Sequence, residues 1–124
     1  MQLAKQQRLA RPADYRRVYN SDYWGNTRLF SFNALPTDGH TQLGVTVSKK
    51  VSKSAVQRNR IKRQIKEFFR LRQNALEHTH LVITAKPACG AADDKERAAS
   101  LSELWDKALR WRRWYERNHG GGKA

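Results

Sequence analysis

The sequence predicts one domain of mixed helices and strands, and three observations predict it. Residues 27–35 and 41–48 alternate apolar and polar side chains, the period of strands with two unlike faces. Ile61, Ile65, Phe68, Phe69, Arg72 and Leu76 recur at the i, i+4, i+7, i+8 spacing of an amphipathic helix. Leu81-Val82-Ile83-Thr84-Ala85 is a short run, nearly all apolar or β-branched, which suits a buried central strand. A length of 124 residues with 39% hydrophobic content allows one modest core and not two.

Taken in order, residues 1–7 are polar and basic without a period and are expected to be flexible. Pro12 opens a short helix, where its missing N–H costs nothing, and Asp14 suits the positive end of that helix. Tyr15, Val18 and Tyr19 share one side of it, with Arg16 nearby. Two roles are open to the tyrosines: packing into the core, or a stacking platform for unpaired bases. Asp22 and Gly25 mark a turn, and Trp24 starts a short strand. In residues 27–35, Phe30, Phe32 and Ala34 face the core, while Leu29, Ser31 and Asn33 line the other side. Pro36-Thr37-Asp38-Gly39 is a turn signal. Leu43, Val45 and Val47 share a face of the next strand, which delivers Lys49 and Lys50 to the start of the long helix. Ser52 or Ser54 is placed to cap it. After the 80–86 strand, Pro87 stops the sheet and residues 88–99 read as a mobile connection. Ser100-Leu101-Ser102-Glu103 has capping-box spacing for a last helix that packs Leu101, Leu104, Trp105, Ala108, Trp111 and Tyr115. The glycine-rich end of residues 116–124 reads as a disordered tail.

Charge is the strongest functional signal. The chain holds 25 Lys and Arg against 11 Asp and Glu, a net +14. Ten of those cations lie in residues 49–72, with Glu67 as the only acid. At about 100° per residue, Asn59, Lys62, Arg63, Lys66 and Arg70 fall mostly opposite the apolar stripe. A merely solvated helix face mixes signs; this one is nearly all positive, and phosphates are the partner that relieves its self-repulsion. A membrane surface is the competing class, but it requires a large exposed apolar helix face, and the stripes here are accounted for by a core. One cysteine, Cys89, excludes an internal disulfide and a zinc pair. With no signal peptide and no stretch long enough to span a membrane, a cytoplasmic protein is expected.

Arg58-Asn59-Arg60-Ile61-Lys62-Arg63 on a helix, preceded by Gly44-Val45-Thr46-Val47-Ser48-Lys49-Lys50, resembles the motif of the bacterial ribonuclease P protein subunit. The resemblance spans residues 8–113, and the domain is expected over 8–115. It implies an α+β fold in the order αβββαβα. The sheet is four-stranded and mainly antiparallel, of the ribosomal protein S5 domain 2 kind, with helices packed on it and an open cleft. It also implies a left-handed β-α-β crossover, where the general handedness rule gives the opposite.

The resemblance implies two RNA surfaces. Lys49, Lys50, Arg58, Asn59, Arg60, Lys62, Arg63 and Lys66 would bind the RNA subunit of ribonuclease P. Tyr15, Tyr19, Arg16, Ser31 and Asn33 would line a cleft for the 5′ leader of precursor tRNA. The polypeptide itself carries no catalytic set: there is no carboxylate cluster for two-metal hydrolysis, no P-loop and no nucleophile elbow. His78 and His80, two apart, would share one face of a strand, but Glu77 would then point away, so they are a poor metal site. Within the resemblance the RNA subunit holds the catalytic Mg²⁺ and performs the cleavage, and the protein binds no metal and no small-molecule substrate. Two other classes remain to be separated from this one: a general or ribosome-associated RNA-binding protein, and a protein-only nuclease.

Overall fold

The structure, a computed structural model, describes residues 5–120. Its elements run α1 (Pro12–Tyr19), β1 (Tyr23–Asn26), β2 (Phe30–Pro36), β3 (Gln42–Thr46), α2 (Ala55–Arg72), β4 (Thr79–Ala85) and α3 (Asp94–Tyr115). This is the expected αβββαβα order. The strands form one sheet in the order β1-β2-β4-β3. The β1–β2 and β2–β4 pairs are antiparallel, while β3 and β4 run parallel and are joined through α2.

Alternation assigns the two faces of the sheet. Phe30, Phe32, Ala34, Leu43, Leu81, Ile83 and Ala85 point to one side. There they meet Ile61, Ile65 and Phe69 of α2 and Leu101, Leu104, Trp105 and Ala108 of α3 in the main core. Val82 points to the other side and closes a small second cluster with Leu9 and Val18, flanked by Tyr15 and Leu35. Thus β4 is buried on both faces, which explains why its sequence lacks alternation. The helix α1 covers only part of its face and leaves a cleft beside it.

Four local readings change. Leu29 is fully buried in the main core rather than facing the cleft, because the strand begins one residue later and Thr27–Leu29 forms a turn, with the Thr27 N–H on the Phe30 carbonyl at 2.8 Å. Residues 88–99 are not a mobile connection: Pro87–Ala91 is a 3-10 turn and α3 already starts at Asp94. The capping box is Asp93 with Glu96, each side chain bonded to the other's backbone N–H. Ser100 is instead a buried link, its hydroxyl 2.6 Å from Thr27 Oγ1 and accepting from the Leu29 N–H. Finally, His78 precedes β4 with φ of 52°, so it does not share a strand face with His80.

Lys5–Gln7 forms a 3-10 turn, after which the Leu9 N–H donates to the Leu43 carbonyl at 3.0 Å. Glu116–Gly120 continues α3 as a π-helical turn. The remainder of the segments 1–7 and 116–124 lies outside the described residues.

One buried charge holds the two long helices in register. Arg97, 4% exposed, donates to Gln64 Oε1 of α2 at 2.8 Å and to the carbonyls of Ala92 and Cys89 at 2.6 and 3.3 Å. Its other arm meets Asp94. Arg97→Met keeps the stem but takes the guanidinium from the Ala92 carbonyl and the Gln64 amide oxygen, while the Cys89 carbonyl keeps the Ala92 N–H, at about 1–3 kcal/mol for each buried group left unpaired. A loss of about 2–4 kcal/mol is expected, read as a lower urea midpoint with an unchanged slope.

Candidate nucleic-acid interface

The helix α2 is fixed from below. Ile61, Ile65 and Phe69 are completely buried, and the Phe69 ring meets Trp105 edge-on at 6.0 Å. At its start the Ser54 hydroxyl accepts from the Gln57 N–H at 3.2 Å, so Ser54 is the cap, and Ser52 instead accepts from the Ser54 N–H. A helix pinned along one stripe presents the remaining side chains in fixed directions.

Those side chains form a basic ridge. Lys49, Lys50, Asn59, Arg60, Arg63 and Lys66 are exposed, and Lys62 and Arg58 are half-buried. Arg58 turns back on the connection, donating to the Ser52 and Lys53 carbonyls at 2.9 and 3.0 Å, so it shapes the loop as well as charging it. Arg60 pairs with Asp94 at 2.9 Å with both side chains more than half exposed. Arg97 first, then Arg60, holds the Asp94 carboxyl below its ordinary pKa. Among the described residues, Lys49, Lys50, Lys62, Arg63 and Lys66 meet no carboxylate within ion-pair distance. Farther along, Arg70 is engaged by Glu67, and Arg72 lies over the Phe68 ring at 3.7 Å. The open positive face therefore occupies the first three turns of α2.

The cleft lies on the opposite face of the sheet. Tyr15 and Tyr19 project from α1 over β3. The Tyr15 ring rests on Gly44: a Cβ added there would come within 2.7 Å of the ring carbons. Burial pushes the Tyr15 phenol pKa up, with a backbone hydrogen bond to Val45 acting the other way. The Tyr19 hydroxyl is 2.9 Å from Thr46 Oγ1, and Tyr19 stays 40% exposed. Of the two roles open to the tyrosines, Tyr15 thus combines both: one side of its ring packs the second cluster and the rest edges the cleft. Ser31 and Asn33 are half-buried on the same sheet face, opposite Thr84 and Val82 of β4. Arg16 is exposed on α1. His80 also belongs to this face, where burial first and then the Arg17 charge lower its pKa.

The two surfaces meet at the C-terminal end of β3. Thr46, which receives Tyr19, lies three residues before Lys49. The histidine pair separates: His78 lies against the Gly39 carbonyl, Nδ1 to O 2.9 Å, while His80 faces the α1 side. Among the described residues no three His, Cys, Asp or Glu side chains are grouped to hold a metal ion, and no helix is long and apolar enough to cross a membrane.

One exposed side chain on the cleft face escaped the sequence reading. Trp24 on β1 pairs directly with Asn33 and is 66% exposed. Four residues containing a glycine show no alternation to read, so only the register reveals which way it points.

Comparison with known proteins gives a consistent result. The family model described as Ribonuclease P matches residues 3–109. The ribonuclease P protein component of Idiomarina loihiensis is 42% identical over 102 residues, covering 81% of this chain and 82% of its own. That of Pasteurella multocida is 34% identical, covering 89% and 93%. The solved RNase P protein of Staphylococcus aureus superposes with a TM-score of 0.77 at 27% identity, over 82% of this chain and 94% of its own. The Thermotoga maritima RNase P protein shares the fold, with a TM-score of 0.70 at 18% identity, over 83% and 96%.

Proposed function

The chain belongs to the ribonuclease P protein family, and from that premise we propose that it acts as the protein subunit of the holoenzyme. It binds the catalytic RNA subunit and the 5′ leader of precursor tRNA, and so assists Mg²⁺-dependent removal of the leader. The observation that carries this reading is the junction at the end of β3, where an unneutralised cationic ridge begins beside a cleft edged by aromatic rings.

Each surface suits a different RNA. Lys49, Lys50, Arg58, Arg60, Lys62, Arg63 and Lys66 offer point charges and guanidinium forks to phosphates, with Asn59 adding an amide. Their binding releases counterions without requiring a sequence. Folded RNA is dense in phosphate, and neutralising it lets the RNA hold its own Mg²⁺ at moderate salt. The cleft offers Tyr15 and Tyr19 as stacking surfaces, with Arg16 for the backbone and Ser31 and Asn33 as small polar groups on its floor. Stacking requires unpaired bases, which a leader has and a mature 5′ end lacks. Preference for precursor over product follows from that difference alone.

Reconstitution tests the proposal. Added to the RNA subunit at low Mg²⁺, the protein is expected to restore 5′ cleavage of precursor tRNA. A protein that bound many RNAs alike and gave no stimulation would be a general RNA-binding protein. Cleavage without added RNA, lost on replacing His78 or His80, would mean a protein-only nuclease.

Gly44→Val provides a narrower test. The new side chain occupies the space of the Tyr15 ring, so the ring must leave its place on the sheet. Precursor affinity is expected to fall about tenfold, within the roughly 1–3 kcal/mol of one stacked base, while affinity for the RNA subunit stays unchanged. Parallel titrations of the two RNAs separate these effects.

A further inference from the structure

We propose that Trp24 forms an outer stacking position for the leader, at the β1 edge of the sheet face that carries the cleft; this rests on the leader-binding reading above. The strand register is the basis. Gly44 pairs with Val82, Val82 with Asn33, and Asn33 with Trp24, so these four residues make one row across β3, β4, β2 and β1. Tyr15 covers the Gly44 end of the row, Val18 of α1 closes over Val82, and Trp24 stands at the other end, exposed.

The orientation of Trp24 follows from its neighbours. Tyr23 packs against the main core, and a Cβ on Gly25 would strike the Phe32 ring at 2.6 Å. Residues 23 and 25 therefore face the core, and Trp24 faces the cleft side. There an indole 66% exposed to water has no structural use, whereas its flat apolar surface suits an unpaired base.

Charge is available beside it. Asn26 shares the Trp24 face through its pairing with Ser31. Its side-chain oxygen accepts from Lys86 Nζ at 3.1 Å, and its carbonyl accepts from Lys107 Nζ at 2.9 Å. A strand crossing the row would thus find an aromatic face with the Lys86 ammonium beside it at its far edge.

Position gives the inference its specificity. Three inter-strand steps of ~4.8 Å separate the ends of the row, roughly 14 Å. At the ~3.4 Å rise of a stacked strand that is about four nucleotides. Because the basic ridge begins next to the Tyr19 end, the leader nucleotides nearest the cleavage site lie by the tyrosines and the more distant ones reach Trp24.

The test titrates reconstituted holoenzyme with precursors bearing two- and eight-nucleotide leaders, and with mature tRNA. Trp24→Ala is expected to weaken the eight-nucleotide precursor about five- to tenfold and leave the other two RNAs unchanged, with Trp24→Phe restoring most of the loss. A 2-aminopurine about four to five nucleotides upstream of the cleavage site should be quenched by the wild type and not by Trp24→Ala. Wild-type affinity of Trp24→Ala for the long leader, or an equal loss on mature tRNA, overturns the proposal. If Tyr15→Leu and Tyr19→Leu still weaken the precursor selectively in that case, the leader cleft stands and only its outer position falls. If no cleft variant distinguishes precursor from product, the leader reading itself fails.

Discussion

Replacing Lys62, Arg63 and Lys66 together by alanine is expected to lower affinity for the RNA subunit by roughly two to three orders of magnitude near 0.1 M salt. Each neutralised phosphate contributes a slope of about 0.7–0.9 in log K against log salt. Losing three should therefore make the dependence shallower by about 2–3. The fold should survive, because none of the three is paired with a carboxylate among the described residues and the buried stripe of α2 is untouched. Arg60 is expected to matter less per residue than these, since RNA phosphate would replace the Asp94 carboxylate already beside it. Titration of labelled RNA at several salt concentrations reads both quantities. An unchanged slope would remove the ridge from the interface.

The second large effect concerns the tyrosines. Tyr15→Leu with Tyr19→Leu is expected to reduce precursor affinity by about 30-fold or more, since each of the two stacked bases contributes roughly 1–3 kcal/mol. Mature tRNA should bind as before. Leucine is the informative replacement because Tyr15 also packs against Leu9, Val18 and Val82; alanine would open a cavity as well as remove the ring. Equal losses on both ligands would mean that the helix had moved, and the stacking role would be withdrawn.

Much of this was legible in the chain. The stripe Ile61, Ile65, Phe69 identified α2 and its buried side, and period-two alternation put Phe30, Phe32 and Ala34 in the core. What escaped depends on contacts distant in sequence. Arg60 and Asp94 are 34 residues apart, as the bond between them shows, and no local pattern announces it. Two capping boxes competed for the start of α3. Asp93 with Glu96 prevailed because Ser100 is needed inside, bonded to Thr27 and Leu29. Trp24 illustrates the limit of short edge strands, where facing is set by the partner β2 and not by the strand's own residues.

The distinct assignment of two surfaces to two RNAs has a direct readout. Cys89 is buried and its thiol is pushed up to about 11 by that burial, so it resists alkylation. A cysteine introduced on the surface can then carry a tethered iron chelate that cleaves nearby RNA. With the chelate at Lys66→Cys, strand breaks are expected in the RNA subunit and not in the leader. With it at Asn33→Cys, they are expected in the leader of bound precursor. Leader cleavage from position 66, or none from position 33, would contradict the account.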